Sequence, residues 1–167
     1  MTNRLWQAHN AITAIILAFV LLLALQMPSL AAEDSESPDD SSPFATVTTF
    51  FADWNMGDLR AASKLFVANP SITDVFPRFH WQGGKATKRW FADLDIYNSN
   101  QGFSDYFFDV GTPQSTDIEG ALAQIIVPVV IDLQHNGQTE TYPGLVNLVL
   151  RQKRNSWKIT SFTWTSN

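Results

Sequence analysis

The residues of this 167-residue chain best suited to chemistry gather in one short stretch: Asp74, Arg78 and His80. Asp74 stands among apolar neighbours, Ile72, Val75 and Phe76, in a segment from Ser71 to Phe76 that reads as a short strand. A carboxylate facing an apolar interior is desolvated, its pKa rises, and it becomes suited to general acid/base work near neutral pH. An aspartate that caps a loop at a strand end would read the same way and do no chemistry. His80, six residues on, could pair with Asp74 and exchange protons, or be an exposed loop histidine. Arg78 could clamp an anionic ligand group, or be a solvated loop charge. Further along, Asn147 interrupts an otherwise apolar strand. A buried amide must find partners, so it satisfies local backbone or meets a ligand.

Around these stand 21 aromatic residues, 12 Phe, 6 Trp and 3 Tyr. Phe50, Trp54, Phe66, Trp90 and Phe108 are candidates to line an apolar cavity, and the same residues at helical spacing would serve as ordinary core. Metal and cofactor chemistry finds no support. There is no cysteine, and the three histidines, His9, His80 and His135, share no ligand spacing. Gly83-Gly84 is too short for a phosphate-cradling loop. The expectation is therefore no metal and no cofactor.

The elements that must position these residues follow from capping and periodicity. Ser42-Pro43 opens a helix, with Ser as N-cap and Pro at N1. Phe44, Val47, Phe51 and Trp54 fall at helical spacing, and Gly57 ends the run. Asp58 caps a second helix carrying Leu59, Ala62, Leu65 and Phe66 on one face, with Asn69-Pro70 as its stop. A loop from Pro77 to Gly84 contains Phe79, His80 and Trp81. A third helix is expected over about Lys85 to Leu94, with Ala86, Trp90 and Leu94 inward, and a turn at 98–102. The rest is strand: 103–110, 121–133, a hairpin at Asn136-Gly137, 139–151 with Pro143-Gly144 marking an edge, bulge or bend, and 157–165. Helices first and a meander second predict an α+β domain, three helices packed on a curved, cone-like antiparallel sheet. Such a sheet leaves room for a ligand cavity beneath the helices.

The first 31 residues read as a signal peptide. Arg4 gives a positive start, Ala11 to Leu25 is almost continuously apolar, and Ser29-Leu30-Ala31 offers a cleavage site after Ala31. A helix of that apolar length reaches only about 22 Å, short of the ~30 Å hydrocarbon core, which disfavours a retained anchor. The expected destination is the periplasm or the medium, with membrane contact only through this segment before cleavage. Residues 32–43 read as a disordered acidic linker, with Glu33, Asp34, Glu36, Asp39 and Asp40 and no large apolar side chain to repay ordering entropy. These acids account for most of the net charge of -5, so the domain at 44–167 is close to neutral. A near-neutral domain has no electrostatic footprint for nucleic acid. Its basic clusters, Lys85/Lys88/Arg89 and Arg151/Lys153/Arg154, read as a solvated helix face and a hairpin tip.

The segment Phe50-Phe51-Ala52-Asp53-Trp54-Asn55-Met56-Gly57-Asp58-Leu59 resembles the helix–Asn-x-Gly-Asp-Leu–helix opening of the nuclear transport factor two-like superfamily, in particular its SnoaL-like and ketosteroid-isomerase-like members. Ile72-Thr73-Asp74-Val75-Phe76 is similar to the family's short strand, and Trp81-x-Gly-Gly84 leads into the third helix as it does there. The likeness runs from about Phe44 to Trp164. It implies a cone-shaped pocket, often in a dimer. In ketosteroid isomerases an Asp on the short strand shuttles a proton, and Asp74 matches it by position. The family's oxyanion-donating tyrosine is matched by Phe50, and its protonated Asp donor lies nearest Asn147. Loss of one such donor costs on the order of a hundredfold or more in rate, so the departures argue against steroid isomerisation itself.

Three functions are consistent with this reading: an exported domain that binds a small, mostly apolar molecule without turning it over; an acid/base enzyme (isomerase, cyclase or dehydratase) using Asp74 with His80 or Asn147; and a homodimeric interaction module. For the last, simple alternation over 157–165 sets Phe162 and Trp164 on the face opposite Trp157 and Ile159, so both faces of the sheet would need cover.

Overall fold

The computed structural model of the protein describes residues 41–166. The expected signal peptide at 1–31 and residues 32–40 of the expected linker at 32–43 lie outside the described residues. The first helix, α1 (Pro43–Asn55), starts where its cap predicts: the Ser42 hydroxyl accepts the Ala45 N–H at 3.0 Å and Pro43 stands in the first turn. Gly57, with φ of +75°, turns the chain out of it. Asp58 then caps α2 (Leu59–Lys64) by accepting the Ala61 N–H at 2.8 Å.

From α2 onward the chain departs from expectation. The helix ends at Lys64, well before Asn69-Pro70, and Phe66 already belongs to β1 (Phe66–Thr73). The strand expected at Ser71–Phe76 therefore begins earlier and stops before Asp74. Tertiary pairing decides this. β1 runs parallel to the last strand, β7 (Ser156–Ser166), the Ile159 N–H donates to the Leu65 carbonyl, and the Lys158 ammonium donates to the carbonyl of Lys64. Pro70 falls where the β1–β7 register slips between Phe66 and Ser71, a place where its missing N–H costs little.

A short strand β2 (His80–Gln82) folds back on β1, and α3 (Ala86–Gln101) follows. This helix runs two turns past the expected end at Leu94. Gly102 stops it in the left-handed region at φ +75°, where any Cβ would collide with the Asn136 amide. Then come β3 (Phe103–Val110), β4 (Ser115–Glu119), β5 (Leu122–His135), β6 (Gln138–Lys153) and β7. β4 is a hairpin arm on β5 that the apolar pattern did not announce. Asn136 and Gly137, at φ +51° and +82°, make the expected hairpin turn between β5 and β6. Pro143 lies one residue beyond the last β6–β7 pair among the described residues, Gly144–Ser166.

The sheet order is β2-β1-β7-β6-β5-β3, with β4 on β5. The meander from β3 to β7 is antiparallel as expected, while the β1–β7 step is parallel, so the curved sheet is mixed. Its concave face is covered by α1 and α3. Inward residues alternate along β5 and β6: Ile125, Val127 and Val129 on one, Val146, Leu148 and Leu150 on the other.

Two bulges reset this alternation. In β7 the register against β6 jumps from Ser161 opposite Val149 to Ile159 opposite Leu150, leaving Thr160 extra, its hydroxyl on the Val149 carbonyl at 2.9 Å. One added residue flips parity, so Trp157, Ile159, Phe162 and Trp164 all face the same core. The expectation that they occupy opposite faces is corrected, and the need for a dimer to cover them goes with it. In β3 the slip between Ser104 and Phe107, with Asp105 at φ +51°, turns Phe103, Tyr106 and Phe108 to one side. The Asn55 amide, from the opening motif, fastens α1 to this edge strand by donating to the Phe108 carbonyl at 2.9 Å and accepting the Phe108 N–H at 2.8 Å.

Candidate functional site

Between α3, β3 and the concave sheet lies a cavity of about 220 Å³. Its walls are mostly aromatic. Phe51 and Trp54 come from α1, Phe76 from the loop after β1, Phe103 and Phe108 from β3, and Phe162 and Trp164 from β7. Trp164 fits because Gly144 lies beneath it on β6; a Cβ there would stand 2.5 Å from the indole. Polar groups are few: Asp74, Tyr97, Asn98, Tyr106, Tyr142 and Ser166. Every tyrosine of the chain is among them. Val75 and Tyr142, 53% and 40% exposed, and Ser166, also exposed, mark the mouth.

Asp74 begins the loop that follows β1, and its own N–H donates to the Phe79 carbonyl. The indole N–H of Trp90, a fully buried residue of α3, donates to Asp74 Oδ2 at 2.8 Å, and the Val75 N–H donates to Oδ1 at 2.8 Å. Burial pushes the carboxyl pKa above its ordinary 3.8, outweighing the two N–H bonds that favour the anion. Tyr106 is raised above the usual phenol range, chiefly by burial and then by the proximity of Tyr97, Tyr142 and Asp74. It stays protonated and donates to Asn98 Oδ1 at 2.5 Å. At the mouth the Tyr142 hydroxyl donates to Glu140 Oε2, and Glu140 Oε1 sits 2.8 Å from His135 Nδ1.

The sequence-based candidates divide. Asp74, Trp54 and Phe108 line the cavity. Phe50, Phe66 and Trp90 belong to solid core beside it, their rings packed on one another: Phe50 touches Phe66 edge-on with centroids 5.4 Å apart and stacks on Trp90 at 6.5 Å. His80, expected beside Asp74, is exposed on β2 with its Nδ1 3.3 Å from the Thr73 hydroxyl. Strand pairing sends Asp74 and His80 apart. Arg78 is exposed and pairs with Asp93 at 3.3 Å, where the Trp81 indole also donates. Asn147 sits between inward Val146 and Leu148 and therefore faces the outer side of the sheet, accepting from Gln124 at 3.1 Å. The residues missed are Tyr97, Asn98, Tyr106 and Tyr142. The extra turns of α3 supply the first two, the β3 bulge the third. The chain's small complement of tyrosines was the one signal that could have found them.

What this arrangement can do is limited and definite. A neutral, apolar body fits against the aromatic walls. One carboxyl with a raised pKa and the hydroxyls of the lining tyrosines offer hydrogen bonds or a proton. Among the described residues no group of three or more His, Cys, Asp or Glu side chains converges to hold a metal.

No protein-family model matches the chain, and no curated protein sequence matches it. Solved structures do. A nuclear transport factor 2-like superfamily protein from Salmonella enterica serovar Typhimurium superposes with a TM-score of 0.60 at 19% identity, covering 73% of this chain and 86% of that one. A nuclear transport factor 2-like protein with a cystatin-like fold from Novosphingobium aromaticivorans gives 0.57 at 15%, covering 72% and 76%. A protein from the same species named as a candidate scytalone dehydratase gives 0.59 at 12%, covering 74% and 80%. At these identities the likeness is one of fold: this chain folds as the nuclear transport factor 2-like, cystatin-like proteins do, as its opening motif led one to expect.

Proposed function

We propose that this domain binds a small, mostly apolar molecule in the cavity between α3 and the sheet, after export across a membrane by the segment Met1–Ala31. The observation that carries the binding reading is the cavity itself: about 220 Å³ left open in a domain with ample aromatic side chains to fill it, with few polar groups in its lining and Asp74 among them. Pockets that are largely apolar with a small number of placed polar groups are the general form of small-molecule sites. Export rests on the sequence of the leader alone.

A second reading has its own observation. Asp74 combines a raised pKa with the nearby Tyr106 phenol, the pairing of a general acid/base with a hydroxyl that would turn from Asn98 to donate to a developing oxyanion. One neighbour in fold is named as a candidate scytalone dehydratase, and a shared fold assigns no chemistry to this chain.

The test is native mass spectrometry of the protein purified from its own host. Retention of a small molecule that is lost in Leu94→Trp, a change that fills the cavity, supports the binding reading. A folded protein that is empty, and stays empty when exposed to host extract, removes it. The intact mass of the same sample shows whether residues 1–31 are gone. If a bound molecule is released chemically altered, the Asp74→Asn variant must release it unaltered for the acid/base reading to stand.

A further inference from the structure

We propose that the natural ligand of this cavity is a cation, an aromatic or alicyclic amine whose protonated nitrogen pairs with Asp74. The inference rests on the binding reading above and narrows it to a ligand class. Asp74 is the single charged side chain among the described residues that line the cavity. Among all the described residues the ion pairs are Arg78–Asp93 and His135–Glu140, away from Asp74, and no described Lys, Arg or His pairs with it. A carboxylate withdrawn from water needs a counter-charge, and without one it tends to be neutralised. The protein supplies only N–H groups, from Trp90 and Val75, one to each oxygen. Both oxygens are thus held as acceptors, and each keeps acceptor capacity beyond its single N–H, in a residue that lines the cavity.

The remaining lining points the same way. Trp54, Phe76, Phe103, Tyr97 and Tyr106 present ring surface to the cavity, and the faces of aromatic rings attract cations, most strongly where water is excluded. An anion would meet a carboxyl and no base. A neutral ligand would leave the partly buried carboxyl without a counter-charge. An ammonium group satisfies the carboxylate and the ring faces together, with its N–H groups donating to oxygens that are already oriented to accept.

The experiment uses three molecules that share one ring and differ in head group: phenethylamine, phenethyl alcohol and phenylacetate. Each is titrated into the full-length protein at neutral pH by calorimetry, with tryptophan emission as a second readout because Trp54 and Trp164 line the cavity. The amine is expected to bind at least about tenfold more tightly than the alcohol, as a charge-assisted hydrogen bond with cation–π contact allows, and phenylacetate more weakly than either. Asp74→Asn should bring the amine down to the level of the alcohol while the alcohol is unchanged. A second variant, Asp74→Glu, keeps the charge and should keep the preference even if the amide variant folds poorly. Equal binding of amine and alcohol in the native protein, or a preference that survives in Asp74→Asn, overturns the cationic ligand and leaves the apolar pocket standing. If none of the three binds, and the neutral dye Nile red does not bind either, the binding reading itself fails along with the inference.

Discussion

The space between the helices and the sheet has two ends built from the same kinds of residue, and they behave differently. At one end Val47, Phe50, Phe66, Trp90, Leu150 and Ile159 close into solid core, nearly all with no exposure. At the other, Trp54, Phe103, Tyr106, Phe108 and Trp164 surround an open cavity. Aromatic content is high at both. The closed end carries hydrocarbon and ring surface that interdigitates, and its indole N–H, on Trp90, is used up by Asp74. The open end carries hydroxyl, amide and carboxyl tips that cannot be packed away without partners. Large apolar side chains make a core; polar tips among them hold a cavity open.

The strongest test of this division is the bulge that lets β7 serve both ends. Deleting Thr160 removes the extra residue and should throw either Trp157 and Ile159 or Phe162 and Trp164 to the outer face. Loss of cooperative thermal unfolding is expected, and a deletion variant that melts like the native protein would mean that the shared face does not depend on the bulge.

Next in size is the contrast between the ends. Phe50→Ala, in solid core, should cost about 3–5 kcal/mol in chemical denaturation. Phe103→Ala, beside space that is already open and with a ring only partly buried, should cost only about 1–2 kcal/mol. Equal costs would show that the cavity collapses in solution and that its walls are packed like the rest.

The smallest effect concerns Asp74 and has a sign that separates stability from binding. Its carboxyl pKa is raised on folding by burial. Between the unfolded value near 3.8 and the raised folded value, the native state holds more protons than the unfolded chain. The stability of the empty domain should therefore fall as pH rises through that window. Asp74→Asn should remove this slope. A cationic ligand should show the opposite trend, binding more tightly as Asp74 ionises. Thermal melts across acidic pH with and without phenethylamine read both; a native slope that persists in Asp74→Asn assigns it to another group.

Much of the frame was legible along the chain. Ser42-Pro43, Asp58, Gly57 and Asn136-Gly137 act through atoms within a few residues of themselves, and each cap or turn forms where its residue types dictate. The same local chemistry misread the stretch from Leu65 to Asp74. Its conformation is set by a parallel partner some ninety residues away, on β7. Asp74 was visible because a lone acid among apolar residues stands out. Its assumed helper His80 was near in sequence, and the β1–β2 pairing places it on Thr73 instead. Tyr97, Tyr106 and Tyr142 come from a helix, a bulged strand and a hairpin arm, so no spacing rule joins them.

By itself, then, the sequence determined the α+β class, the helix caps, the meander and the single carboxyl of the site, because capping, turn geometry and hydrophobic period are short-range. The tertiary structure alone decided which aromatics pack and which line a cavity, which face each half of β7 presents, and which polar groups Asp74 meets. Those depend on one-residue register shifts and on the closeness of distant segments. A bulge reverses side-chain direction without leaving a mark in the composition or the period.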